Sequence, residues 1–351
     1  MRPFRIARWQ LTSCCGHGTG PGPVKTSRRG FLEIAAVGVA GLATTFRAGA
    51  AAAQVRTFPP PPPAVSPIEG LIDFHLHSAP DVFGRGLDDD EASALYRDNA
   101  IEAVVMKNHV VSTADRAWLL RKHQAGVKAF GGIVLNSAVG GVNPEAVQWM
   151  WRMQGGFGRV VWFPTFDADH HVKHFKDGPE GVKVLGADGN VLPAAREVLK
   201  ICAQQKLVVC TGHCAPKEAL AIARAAREAG CDRIVITHAE FEVVNLSLEE
   251  MKQAAGLGAK MEICAMGPLM GPSAHLPWMR SWRQVPVKET AERIKAVGAE
   301  HFLLATDLGQ TGNPSPPDGY KLLVGGLLAE GIGKDQIRTM GREVPGRLLM
   351  G

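Results

Sequence analysis

The chain has 351 residues, 46% hydrophobic and 21% charged. That is the balance of a globular protein with a sizeable core, not of a disordered chain. The net charge of +5 misleads: residues 1–53 carry seven of the 39 basic residues and one of the 34 acidic ones, leaving 32 against 33 in the rest. A near-neutral body makes no case for nucleic-acid binding, which needs a basic face on the folded domain.

The first segment reads as an address. Ser27-Arg28-Arg29-Gly30-Phe31-Leu32 resembles the twin-arginine export motif. The apolar run that follows, Ile34 to Ala43, is short of the roughly 20 residues that span a bilayer. A small-residue stretch from Ala48 to Ala53 suits signal cleavage. The resemblance implies a twin-arginine-type signal peptide over 1–53, the twin-arginine export machinery as a partner, and cleavage near Ala53. It also implies a periplasmic product with no stable membrane span. Five consecutive prolines, Pro59 to Pro63, favour extended polyproline II, so residues 54–67 read as a stiff linker. The folded body is expected over 68–351.

From residue 68 short apolar runs alternate with helical stretches. Eight runs read as strands: 70–75, 102–106, 127–135, 159–163, 207–210, 233–237, 260–264 and 301–306. Most are continuously apolar, as strands covered on both faces should be. Helices are expected over 88–99, 113–125, 144–154, 193–205, 216–228, 247–255, 287–296 and 334–349. Acidic first turns, first-turn prolines and a capping-box spacing at Ser247 and Glu250 mark their starts. Residues 184–192 read as a small hairpin turning at Asp188-Gly189. Eight alternations over roughly 280 residues suit a (β/α)8 TIM barrel. A doubly wound dinucleotide fold would want a Gly-rich first turn, which is missing. Cysteines 202, 210, 214, 231 and 264 lie in or beside apolar stretches, and their odd number argues for small buried residues rather than disulfides.

In Asp73-Phe74-His75-Leu76-His77, residues two apart share a face, so both imidazoles can point into the barrel and converge on one cation. Taken alone, the pair is equally a buried, hydrogen-bonded one. Position strengthens the case. His213 follows the fifth run, His238 ends the sixth and Asp307 ends the eighth, the end at which barrel enzymes place catalytic groups.

This set, a His-x-His on strand one, histidines on strands five and six and an aspartate on strand eight, resembles the amidohydrolase superfamily over roughly residues 70–310. The resemblance implies a metal-dependent hydrolase of a small molecule with an amide, lactone, ester or phosphoester bond. His75, His77, His213 and His238 would be ligands of one or two divalent metals, zinc first and manganese as the alternative. Asp307 would be both a ligand and the general base toward a metal-activated water. The pattern departs at strand four, where binuclear members bridge their metals with a carboxylated lysine or a glutamate and this chain has Phe163-Pro164-Thr165. Lys107, after strand two, is either such a bridging ligand, an anchor for an anionic substrate group or a structural ion-pair residue. A mononuclear decarboxylase of the same superfamily is the second reading. A non-catalytic exported ligand-binding barrel is the third.

Other candidates are weaker. His109 either reaches the site or sits idle on its loop. Arg85 binds a substrate carboxylate or is a surface arginine. His170 and His171 belong to a cluster that is a substrate loop or a solvated one. Glu240, two residues past His238, is a candidate to orient a ligand. Trp278 and Trp282 suggest an aromatic lid, and the loops 78–90, 109–113, 136–143, 165–192, 266–286 and 308–320 are expected to set specificity. A homo-oligomer is the default assembly.

Overall fold

In the computed structural model, residues 66–351 are described, apart from 124, 125, 177 and 179. The leader and residues 54–65 of the linker lie outside them. The eight strands are β1 (Ile72–Leu76), β2 (Ala103–Met106), β3 (Lys128–Val134), β4 (Gly158–Trp162), β5 (Val208–Cys210), β6 (Ile234–Ile236), β7 (Lys260–Cys264) and β8 (Phe302–Ala305). They pair in parallel in chain order. The last seam is made just past the strands. Asp307 N–H donates to the His75 carbonyl at 2.8 Å, and His77 N–H donates to the Leu308 carbonyl at 2.9 Å. The TIM barrel is therefore the fold, and its closing seam runs through the candidate site residues.

Burial explains the continuous apolar runs. Every residue of β1, β2, β5, β6 and β8 is buried, because helices cover one face and the barrel interior the other. Beneath the site, Asp73 ties β1 to β8. Its carboxylate accepts from Thr306 N–H at 2.8 Å, Thr306 Oγ1 at 2.6 Å, His75 N–H at 3.1 Å and the Tyr96 hydroxyl. Burial outweighs those bonds and pushes the Asp73 carboxyl up to about 6.

The helices are α1 (Asp89–Asp98), α2 (Ala114–His123), α3 (Pro144–Trp151), α4 (Asp169–Phe175), α5 (Pro193–Gln205), α6 (Pro216–Glu228), α7 (Leu248–Gly256), α8 (Val287–Val297), α9 (Pro316–Ala329), α10 (Lys334–Arg338) and α11 (Val344–Met350). Start signals act as expected. Asp88 and Ser247 close capping boxes with Glu91 and Glu250, and Asn143 caps α3. No helix of the described residues is long and apolar enough to cross a membrane.

Four stretches differ from the sequence expectation. Helix α4 forms inside the loop after β4. Helix α9 begins inside 308–320, expected as a loop, and carries three glycines. Gly319 is needed there, since a β-carbon would lie 2.0 Å from Leu308 Cδ1, so close packing overrides propensity. The last helix is not continuous: a π-helical turn over Thr339–Glu343 separates α10 from α11. The expected hairpin reduces to one antiparallel bridge, Leu185 to Val191.

Candidate metal centre

Four of the predicted residues meet above the C-terminal ends of β1, β6 and β8. The Nε2 atoms of His75 and His77 are 3.2 Å apart. Asp307 Oδ1 lies 3.2 Å from each of them, and Asp307 Oδ2 lies 3.7 Å from His238 Nε2. All four residues are buried. Two of them sit on strained backbone: His238 has φ +49° and Asp307 φ +54°, a left-handed region that residues with a β-carbon rarely adopt. Such strain persists where the surroundings fix a side chain in place.

His213 stands beside this group, its ring 5.3 Å from that of His238, centroid to centroid. Its Nδ1 is 2.9 Å from Nδ1 of His171, which α4 brings over the barrel mouth. His109 stacks on His77 at 4.8 Å and bonds Thr165 Oγ1 through Nδ1 at 2.9 Å. Lys107 is 1% exposed, and its Nζ has no hydrogen-bond partner. It lies 5.6 Å from the centroid of the Trp162 ring.

Electrostatics prepare these groups for a cation. Burial holds His75, His77, His109, His213 and His238 well below the ordinary imidazole value, helped by the Lys107 charge. The rings are therefore neutral near pH 7, as metal ligands must be. Burial pushes Asp307 up, opposed by Lys107, and pulls Lys107 down, opposed by Asp307 and Glu262. Imidazole nitrogens and a carboxylate converging within van der Waals distance form the donor set of a zinc-like divalent cation. The atoms of His75, His77 and Asp307 all lie within 4.8 Å of one another. The residues fit a metal.

Other predicted residues are placed differently. Arg85 Nη2 is 3.2 Å from His77 Nδ1, but Asp81 also holds the guanidinium at 2.7 and 2.8 Å. His170 turns aside to the Val243 carbonyl at 2.9 Å. Glu240 is buried, yet its carboxylate faces Thr290 at 2.8 Å and Arg293 at 3.1 Å, both on α8. Burial raises it, and Arg293 opposes the rise. The orienting position read at Glu240 is occupied instead by Glu262, on β7. Glu262 Oε1 is 3.0 Å from His75 Nδ1; Oε2 is 3.0 Å from His238 N and 3.3 Å from its Nδ1. Its signal was in the sequence: an acid inside an apolar strand must be paired if it is buried.

Aromatic rings line the mouth. Phe166 lies 4.4 Å from His109, 5.5 Å from His213 and 5.9 Å from Phe83. Trp282 is 6% exposed and stacks on Phe175 at 4.6 Å, while Trp278 is 41% exposed. Phe83 is 42% exposed, beside Val82 at 71%.

The chain belongs to a family of unknown function, DUF6282, whose profile matches residues 70–262. That span holds every predicted ligand except Asp307, and it ends on Glu262. No curated protein sequence matches. Among solved structures, the chain is similar to an amidohydrolase from Pseudomonas aeruginosa, at 12% identity over 81% of this chain and 96% of that one, with TM-score 0.54. It is also similar to an organophosphorus hydrolase from Deinococcus radiodurans, at 14% identity over 80% and 92%, with TM-score 0.52. A third is a protein engineered for organophosphate hydrolysis from a weak promiscuous lactonase template, at 14% identity over 82% and 98%, with TM-score 0.51. At such identities the likeness establishes a shared barrel.

Proposed function

We propose that this chain is a metal-dependent hydrolase of a small molecule carrying an amide, lactone, ester or phosphoester bond. The observation that carries the reading is the convergence of His75 Nε2, His77 Nε2 and Asp307 Oδ1, each pair 3.2 Å apart, at the catalytic end of the barrel. The likeness to an amidohydrolase and to organophosphorus hydrolases supports it. His75, His77, His238 and Asp307 would hold a divalent cation, zinc first, with His213 and Lys107 completing one or two sites. The cation would supply Lewis-acid polarisation of the scissile group and a water of lowered pKa. Asp307 would serve as the general base at this site. The neutral histidines keep their geometry through the reaction. His109, His171 and Arg85 face the mouth, where the substrate enters.

A mononuclear decarboxylase is the second reading. The end of β4 favours it: Thr165 there bonds His109 and Asn136 and supplies no bridging ligand.

Metal content of protein purified without chelator tests the proposal, together with turnover of lactones, amides and phosphoesters by Asp307→Asn. Loss of a general base costs about 10²–10⁴-fold. Unchanged turnover removes Asp307 from that role. Folded protein that carries no metal and refuses zinc and manganese refutes the reading. Export belongs to the same proposal: exchanging Arg28 and Arg29 for lysine should leave uncleaved protein in the cytoplasm, and normal processing of that variant would contradict a twin-arginine leader.

A further inference from the structure

Glu262 is the one buried carboxylate at the site to which the hydrolytic reading gives no task. We infer that Glu262 is a positioning residue, a single carboxylate that holds His75 and His238 with their Nε2 lone pairs aimed at the cation. The inference rests on the metal reading above.

A neutral imidazole has one N–H and one lone pair, and the partner of one nitrogen decides the state of the other. Glu262 Oε1 is 3.0 Å from His75 Nδ1. An ionised carboxylate only accepts, so the His75 proton sits on Nδ1 and Nε2 presents its lone pair toward Asp307. His238 is contested. Its Nδ1 has Glu262 Oε2 at 3.3 Å and Cys264 Sγ at 3.4 Å. A thiol donating to Nδ1 would move the ring proton to Nε2 and close that nitrogen to a metal. The carboxylate is much the stronger partner, because a charged acceptor roughly doubles a hydrogen bond. It therefore selects the Nδ1–H form.

The same oxygen does a second job. Glu262 Oε2 accepts the backbone N–H of His238 at 3.0 Å, the residue held at φ +49°. Left-handed backbone is unfavourable for a residue with a β-carbon. The bond from β7 offsets that cost and keeps the His238 ring over the barrel axis. Both oxygens of Glu262 are thus committed to residues of the metal centre, which accounts for a carboxylate 1% exposed inside a strand.

The rival arrangement is direct ligation. Atoms of His75, His238, Glu262 and Cys264 lie within 4.8 Å of one another and could themselves surround a cation. Cys264 separates the two ideas, since direct ligation uses its sulfur and positioning does not.

The experiment compares wild type, Glu262→Gln and Cys264→Ala in the full chain. Zinc and cobalt(II) affinities come from competition with a chromophoric chelator, and ring ¹⁵N shifts are recorded on metal-free wild type. Glutamine offers one acceptor and one donor, so only one histidine keeps its hold. The expected loss is about 10–100-fold in metal affinity, the usual effect of removing an orienting partner. Cys264→Ala should bind as wild type does, without a thiolate-to-cobalt absorption band in either. The shifts should report Nδ1–H forms of both His75 and His238, a readout that does not depend on any variant folding. Undiminished affinity in Glu262→Gln, or Nε2–H forms in the wild type, would overturn the inference alone. So would a thiolate band lost in Cys264→Ala together with metal binding. Wild type that takes up neither metal would instead remove the hydrolase reading, and this inference with it.

Discussion

Replacing Lys107 by methionine should stabilise the metal-free protein. Lys107 Nζ is buried with no hydrogen-bond partner. Mutational data price a buried polar group without a partner at roughly 1–3 kcal/mol. Methionine keeps an unbranched apolar stem of similar length and has no group to satisfy. The opposing effect is the lost attraction to Asp307 and Glu262. Burial works against that attraction, pulling Lys107 down and pushing Asp307 up. A gain of about 1–3 kcal/mol corresponds to roughly 2–12 °C in Tm, taking about 2–4 °C per kcal/mol for a large domain. With zinc the order should reverse or narrow. A cation at a hundred times its Kd adds about 2.7 kcal/mol to wild type, and less to a variant missing part of the site. Differential scanning calorimetry on chelator-treated and zinc-loaded samples of both proteins reads all four values. A metal-free variant that melts below wild type would refute the reasoning, because Lys107 would then be a structural residue with a partner worth keeping.

Two further outcomes follow from the charges and rings. Metal uptake near pH 7 should displace protons from Asp307, which burial holds up, and not from the histidines, which burial holds down. Affinity then weakens as pH falls because Asp307 must be deprotonated. Calorimetry in buffers of different ionisation enthalpy counts the protons, and a count unchanged in Asp307→Asn would contradict the assignment. The rings of Phe83 and Phe166 over His109 should favour substrates with a flat apolar group. Zinc-loaded protein should bind benzohydroxamate at least several-fold tighter than acetohydroxamate, since an aromatic contact contributes about 0.5–1.5 kcal/mol beyond burial. Equal affinities, or a preference that survives Phe166→Ala, would deny the rings that role.

The barrel was legible because its signal is redundant. Eight apolar runs each end in polar residues, and a strand misjudged by two positions still pairs with its neighbours. The His-x-His pair was legible because period two leaves no other way to aim both rings inward. What escaped depends on contacts between distant segments. Helix α9 carries glycines that a propensity argument penalises, and of these Gly319 is accounted for by its close packing against Leu308. Glu240 and Glu262 are both acids near His238, one two residues away in sequence and the other one strand away in space. Proximity along the chain favoured the first. The turn after β6 carries it toward Arg293 on α8, and the pairing of β6 with β7 delivers the second.

The strand order explains why that acid should come from β7. The convergent residues lie at the ends of β1, β6 and β8, so β7 is the strand between two of them and next but one to the third. From β7 the Glu262 carboxylate reaches both His238 and, across β8, His75. Lys107, from β2, approaches the same centre from the other side of β1. The barrel thus surrounds its three converging ring nitrogens with an acceptor on one flank and an unsatisfied amine on the other. The carboxylate is fully engaged by His75 and His238, whereas the amine has no partner and methionine would be better accommodated in its place. Two buried ionisable groups on opposite sides of neutral imidazoles and a strained aspartate are the surroundings that the proposed cation would call for.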